Sequence, residues 1–143
     1  MDFGAVVEGY HSDMTRTVAV GFVTDEQKNV YETVLKAQAA AQAAASSGVC
    51  CADVDKAARD VIENAGYGEY FIHRTGHGIG LEVHEFPDVS ASSEAIAEPG
   101  MTFSIEPGIY LPGRFGVRVE DLVTVTEDGC ETLNAAPREL MIL

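Results

Sequence analysis

The stretch His73-Arg74-Thr75-Gly76-His77-Gly78-Ile79-Gly80-Leu81-Glu82-Val83-His84-Glu85 decides how this chain is read. Three of its four histidines fall there, set among glycines and short apolar residues. Glycine lets a backbone come close to a neighbour or ligand, and imidazole titrates and binds metals near neutral pH. A single histidine is more often a core or surface residue. Three in one glycine-punctuated run point to a catalytic or metal-binding address. The fourth, His11, lies in a second dense patch near the N-terminus.

Working outward, Asp2 to Val20 reads as a hairpin, with Glu8-Gly9 as a tight turn and Tyr10 onward rich in β-branched residues. A two-residue turn sets Asp13 opposite Gly4, with Asp2 two residues along on the same face, and leaves a vacancy above Gly4 that would admit an ion. Thr24-Asp25-Glu26-Gln27 is a capping-box signature, and Val30, Val34, Ala37, Ala41, Ala44 and Ala45 follow at helical spacing until Ser46-Ser47-Gly48. From about Ala52, the positions Val54, Ala57, Ala58, Val61, Ile62 and Ala65 predict a second helix ending at Gly66. Beyond the histidine stretch, residues 90–99 read as a polar loop, Met101 to Ile105 as a strand, and Val117 to Thr126 as the longest strand of the chain. A turn at Glu127-Asp128-Gly129-Cys130 leads to a short strand ending at Leu133. The order predicts an α+β domain whose mostly antiparallel sheet is covered on one face by two helices.

Length and composition bound the rest. A chain of 143 residues makes one domain, and 46% hydrophobic residues without an apolar run of roughly 18 describe a globular chain with no membrane span. Met1-Asp2-Phe3-Gly4 carries no secretory pattern, so a cytoplasmic location is expected. Cys50, Cys51 and Cys130 make neither a disulfide framework nor a zinc finger and read as free thiols, the first two packing beside the second helix. With 23 acidic against 9 basic residues, the net charge of -14 repels phosphate backbones and anionic lipid, which disfavours nucleic-acid and membrane partners.

Asp2, Asp13, His77, Glu106 and Glu120 stand out, each in or beside a strand and next to Gly, Pro or another ionisable group. Alternation puts Glu120 on the same face as Arg118, opposite Val117 and Val119; the competing reading is a solvated outer face. Four carboxylates meeting in a partly buried site could not all stay ionised without compensation, and two divalent cations would supply it. Oxygen donors with one imidazole and no thiolate suit Mn, Fe, Co or catalytic Zn, and two such ions acidify a water for hydrolysis.

Five runs occur in order: Asp2-Phe3-Gly4-Ala5, residues 9–17, residues 76–85, Ile105-Glu106-Pro107-Gly108-Ile109-Tyr110, and Gly116-Val117-Arg118-Val119-Glu120-Asp121. Together they resemble the pita-bread metallopeptidases, a family that includes methionine aminopeptidase, aminopeptidase P, prolidase and creatinase. The resemblance covers nearly the whole chain. It implies that Asp13 and Glu120 bridge two metals, that Asp2 completes one site and His77 and Glu106 the other, and that Glu106 is the general base toward the bridging water. It further implies that His73 and His84 hydrogen-bond the substrate or the tetrahedral intermediate, with Arg118 and Tyr110 supporting them.

Ile105 to Tyr110 and Arg118 to Asp121 look more like the proline-specific branch, which implies an Xaa-Pro dipeptidase or Xaa-Pro aminopeptidase acting on a peptide or dipeptide with proline second. Manganese is the first expectation for the two ions. The family domain has two pseudo-symmetric halves, and by resemblance this chain begins inside the strands of the first. It is therefore expected to be a partial catalytic domain over 1-143, with apolar sheet surface exposed and a tendency to form homodimers. Two other readings compete: a pita-bread binding module or fragment without turnover, and a hydrolase acting on some other small amide.

Overall fold

A computed structural model describes all residues 1–143. The N-terminal segment folds as β1 (Asp2–Phe3), β2 (Val6–Val7), β3 (Tyr10–His11), β4 (Met14–Thr15) and β5 (Val18–Ala19). The turn between β2 and β3 has positive φ at both Glu8 (52°) and Gly9 (89°), the form that matches the twist of a two-residue hairpin. Val7 pairs with Tyr10, Val6 with His11, Phe3 with Met14 and Asp2 with Thr15, so one register runs through both ladders and sets Gly4 level with Asp13. The expected vacancy above Gly4 is not there. A Cβ on Gly4 would lie 2.0 Å from the Ser12 carbonyl oxygen, so the opposing backbone fills that space and leaves none for an ion.

Helix α1 (Asp25–Ala44) starts on the expected capping box. The Thr24 side chain accepts from the Gln27 backbone N–H, and the Gln27 side chain accepts from the Thr24 N–H. Its buried face carries Val30, Val34, Ala37 and Ala41, and α2 (Cys51–Asn64) packs against it through Cys51, Val54, Ala58 and Ile62. Alanine on the α1 side lets the two axes come close.

The helices cover a five-stranded sheet built from β6 (Gly76–Gly78), β7 (Glu85–Val89), β8 (Thr102–Ile105), β11 (Asp121–Thr126) and β12 (Gly129–Thr132), in the order β12-β11-β8-β6-β7 with every pair antiparallel. Between β8 and β11 the chain makes a hairpin of β9 (Gly108–Leu111) and β10 (Phe115–Arg118). Phe103, Ile105, Val89 and Val123 meet the helices in a single core that also takes in Ile109, Val117 and Val119. The α+β architecture with two helices on a mostly antiparallel sheet is as expected.

One sequence expectation is corrected here, and two further elements were not foreseen. The long strand over 117–126 is two strands, because Arg118 pairs with Gly108 while Asp121 pairs with Ile105, and the chain changes partners at Val119 and Glu120. The Glu120 N–H is taken instead by the Thr15 carbonyl, at 3.1 Å. The histidine stretch itself contributes β6 and the start of β7, which its glycine-rich pattern does not announce. Near the C-terminus, β13 (Met141–Ile142) runs parallel to β5.

Candidate functional site

His77 is the middle residue of β6, and its two glycine neighbours explain why. A Cβ on Gly76 would sit 1.8 Å from the Ser104 carbonyl oxygen, and one on Gly78 would sit 2.1 Å from that of Phe86. What the backbone approaches here is the flanking strands, not a ligand. Pairing with β7 also slips at this point, from His77 with Asp88 to Gly78 with Glu85, a bulge that kinks the strand beside the ring.

The His77 ring is fixed from both sides. Its Nδ1 lies 3.1 Å from the Gly78 carbonyl oxygen and donates to it, which leaves the Nε2 lone pair facing Glu106 Oε1 at 3.1 Å and Asp13 Oδ2 at 4.0 Å. Lone pair against carboxylate oxygens is repulsive unless a proton or a cation lies between them. Burial opposes protonation of His77, but hydrogen bonds to Glu106 and the Gly78 carbonyl outweigh it and raise its pKa. Glu106 shows the complementary shift: burial pushes its carboxyl up, and hydrogen bonds from His77 and Ser104 with the nearby positive charges bring it below the ordinary value. Ser104 reaches it at 2.9 Å and takes the His77 N–H at 3.0 Å, so one hydroxyl aligns both.

Glu120 lies at the junction of β10 and β11, 1% exposed, and its carboxylate accepts from Thr15 Oγ1 at 2.6 Å. Burial, and then the charge of Glu106, push its pKa up to about 7. Asp13 is raised as well, by burial first and the charge of Asp2 second. Arg118 donates to Thr15 Oγ1 at 3.1 Å, contacts Asp2, and lies 3.9 Å from Glu106, so its charge serves three of the four carboxylates' surroundings.

Asp2, Asp13, His73, Arg74, His77, His84, Glu106, Arg118 and Glu120 wall one cavity of about 330 Å3 that contains no apolar side chain. Single donor atoms of Asp13, His77 and Glu120 lie within 4.8 Å of one another, close enough to hold one ion. The His84 ring stands edge-on to His77 with centroids 4.2 Å apart. His73 donates from Nδ1 to the Arg74 carbonyl at 2.7 Å and accepts at Nε2 from the Tyr110 hydroxyl at 3.0 Å. Tyr110 therefore stands behind His73, outside the cavity wall. All the other expected residues reach the cavity. Thr15, Ser104 and Arg74 also belong to the site and were not singled out from sequence. Ser104 could have been, since two residues before Glu106 on one strand is the same face.

The fold and this donor set define a pita-bread α+β domain whose cavity is chemically suited to divalent cations: oxygen-rich, with one well-oriented imidazole nitrogen and with Asp13 and Glu120 raised by burial first and by neighbouring negative charge second. Residues 1–127 match metallopeptidase family M24. An Xaa-Pro dipeptidase of Lactobacillus helveticus is 50% identical over 142 residues, which is 99% of this chain and 39% of that protein. Among solved structures, the Xaa-Pro dipeptidase from Bacillus anthracis has a TM-score of 0.98 at 49% identity, covering 99% of this chain and 40% of that one. An X-Pro aminopeptidase from Thermotoga maritima MSB8 has a TM-score of 0.97 at 46% identity, with the same coverage. The chain belongs to metallopeptidase family M24. It spans about two-fifths of the length of these relatives.

Proposed function

We propose that residues 1–143 are part of the catalytic domain of a metal-dependent exopeptidase that cleaves the bond before proline. In this reading Asp2, Asp13, His77, Glu106 and Glu120 hold two divalent cations, manganese first and cobalt, zinc or iron as alternatives. The observation that carries it is the cavity walled by all five with no apolar side chain, in a chain half identical along its length to an Xaa-Pro dipeptidase. When bound, such cations supply Lewis acidity, acidifying a water and polarising the scissile carbonyl.

Asp13 and Glu120 would serve both ions, Asp2 would complete one site, and His77 and Glu106 the other. Glu106, held by Ser104, accepts the proton of the attacking water and returns it to the leaving nitrogen. His84, beside His77, hydrogen-bonds the developing oxyanion, and His73 orients the substrate with Tyr110 setting its tautomer. Arg118 keeps Asp2 and Thr15 in place. A bond to proline is a tertiary amide without an N–H, so a site that makes no demand on that donor accepts it. A cytoplasmic location and a homodimer belong to the same reading, the dimer supported by the exposed apolar side chains of Phe3, Val6, Val7 and Tyr10 along one segment.

The test is metal stoichiometry on manganese-equilibrated protein together with hydrolysis of an Xaa-Pro dipeptide and a non-proline dipeptide, with light scattering for the dimer. Two ions per chain and proline-selective turnover are expected. Equal turnover of both dipeptides would favour a general small-amide hydrolase. Two ions with peptide binding but no turnover would favour a binding module.

A further inference from the structure

Arg74 is the one cationic side chain of the cavity that is not directed at its carboxylates. Arg118 is engaged by Asp2, Thr15 and Glu106, whereas the side-chain partner of Arg74 is Asp88, with Nη1 at 2.9 Å from Oδ1. Asp88 lies on β7 opposite His77 in the strand register and is held on its other oxygen by Ser90. The pair is therefore fixed at the edge of the site. The Nε and Nη2 positions of Arg74 make no hydrogen bond, and its side chain is 39% exposed. Arg74 and His73 wall both the polar cavity and an adjoining open cleft that runs past Ile72, Ser90 and Ser92.

The charges of the wall say what this guanidinium is for. Asp2, Asp13, Glu106 and Glu120 carry four negative charges, which two divalent cations would offset. Arg118 and Arg74 then stand against Asp88 alone, which leaves one positive charge in excess, and Arg118 has Asp2 beside it. An arginine with a free fork, tethered so that it need not be ordered on binding, is suited to a carboxylate. In a dipeptide the terminal carboxylate lies on the residue just after the scissile bond, with Cα atoms about 3.8 Å apart. Its reader must then stand on the wall of the same cavity, as Arg74 does. A longer or blocked peptide offers a neutral amide there and can continue into the open cleft, so selection is by charge and not by exclusion.

We propose that Arg74, held by Asp88, binds the free carboxylate of the residue after the scissile bond and makes the site prefer dipeptides over C-terminally extended or blocked peptides. This rests on the peptidase reading above. The experiment uses manganese-equilibrated protein with alanyl-proline and its C-terminal amide, read as Kd by calorimetry and as KM wherever turnover occurs. Wild type is expected to favour the free acid by roughly ten-fold or more, the worth of a charge-assisted hydrogen bond. Arg74→Met should erase that gap by weakening binding of the acid far more than that of the amide. Arg74→Lys should keep part of it. Arg114→Met, which removes an exposed ion pair with Glu26 away from the cavity, controls for loss of surface charge and should keep it all.

An undiminished gap in Arg74→Met would overturn the proposal while leaving the peptidase reading intact. So would a wild type that does not distinguish acid from amide. A wild type that neither binds nor cleaves either compound would overturn both. A drop in stability of Arg74→Met with the gap retained would make the Asp88 pair merely structural and sink the proposal.

Discussion

At Glu106 the surroundings decide what one side chain can do. The residue is 9% exposed, and its carboxylate meets His77, Ser104 and, at longer range, Arg118. A carboxylate so held is ionised over a wide pH range and cannot drift, which suits a base that must accept a proton from a fixed direction. Glu106→Gln keeps the volume and the Ser104 contact but removes the basic oxygen. If Glu106 is the base, kcat for an Xaa-Pro dipeptide falls by about 100-fold or more while substrate Kd stays within a few-fold. A variant retaining most of its kcat would rule out that role. This residue was legible in sequence because Glu106 precedes Pro107-Gly108 at a strand end. The partners were less so, because Thr15 and Ser104 are ordinary strand residues until the fold sets their hydroxyls against carboxylates.

Between elements, the loop carrying His73 is tied to α2 by a residue that helical periodicity passes over. Asp55 is fully buried among the apolar positions of that helix. It accepts from the Thr75 N–H and hydroxyl at 3.1 and 2.8 Å and takes a two-pronged contact from Arg59 at 2.9 and 3.0 Å. Arg59 in turn donates to the carbonyls of Phe71 and His73 and lies over the Phe71 ring. Because the Thr75 carbonyl accepts the Glu106 N–H at 2.7 Å, the helix aligns both His73 and Glu106 through this loop. Asp55→Ala takes the only carboxylate from the Arg59 guanidinium and leaves the buried Thr75 N–H and hydroxyl without a partner, and is expected to cost about 3–5 kcal/mol in urea unfolding. Lys56→Ala, one residue on, breaks only an exposed pair with Asp60 and should leave the midpoint unmoved. Equal midpoints for the two variants would contradict the positioning role. The helices were readable in advance because capping and apolar spacing are local signals. The break at Glu120 and strand β6 were not, since both follow from which distant strand supplies the hydrogen bonds.

For the whole molecule, the chemistry of the cavity and the stability of the chain are two views of the same charges. Without metal, Glu120 at about 7 and Asp13 above its ordinary value bind protons more readily folded than unfolded, and so does His77 with its raised pKa. All three shifts have one sign: the folded state holds more protons, so stability declines as pH rises from the unfolded carboxylate range, near 4.3, through about 7. Glu106, lowered, acts the other way, and its contribution is in place once pH exceeds that lower limit. Metal-free protein is therefore expected to melt at a lower temperature at pH 8 than at pH 5.5. Divalent metal should reverse the order, because ligands bind it deprotonated and its affinity rises with pH. At one hundred times Kd, a single site adds about 2.7 kcal/mol, the worth of about two pKa units. Thermal melts at both pH values, with chelator and with manganese, measure this directly. Parallel curves displaced equally by metal at both pH values would mean that the carboxylates of the cavity are not the groups that receive it.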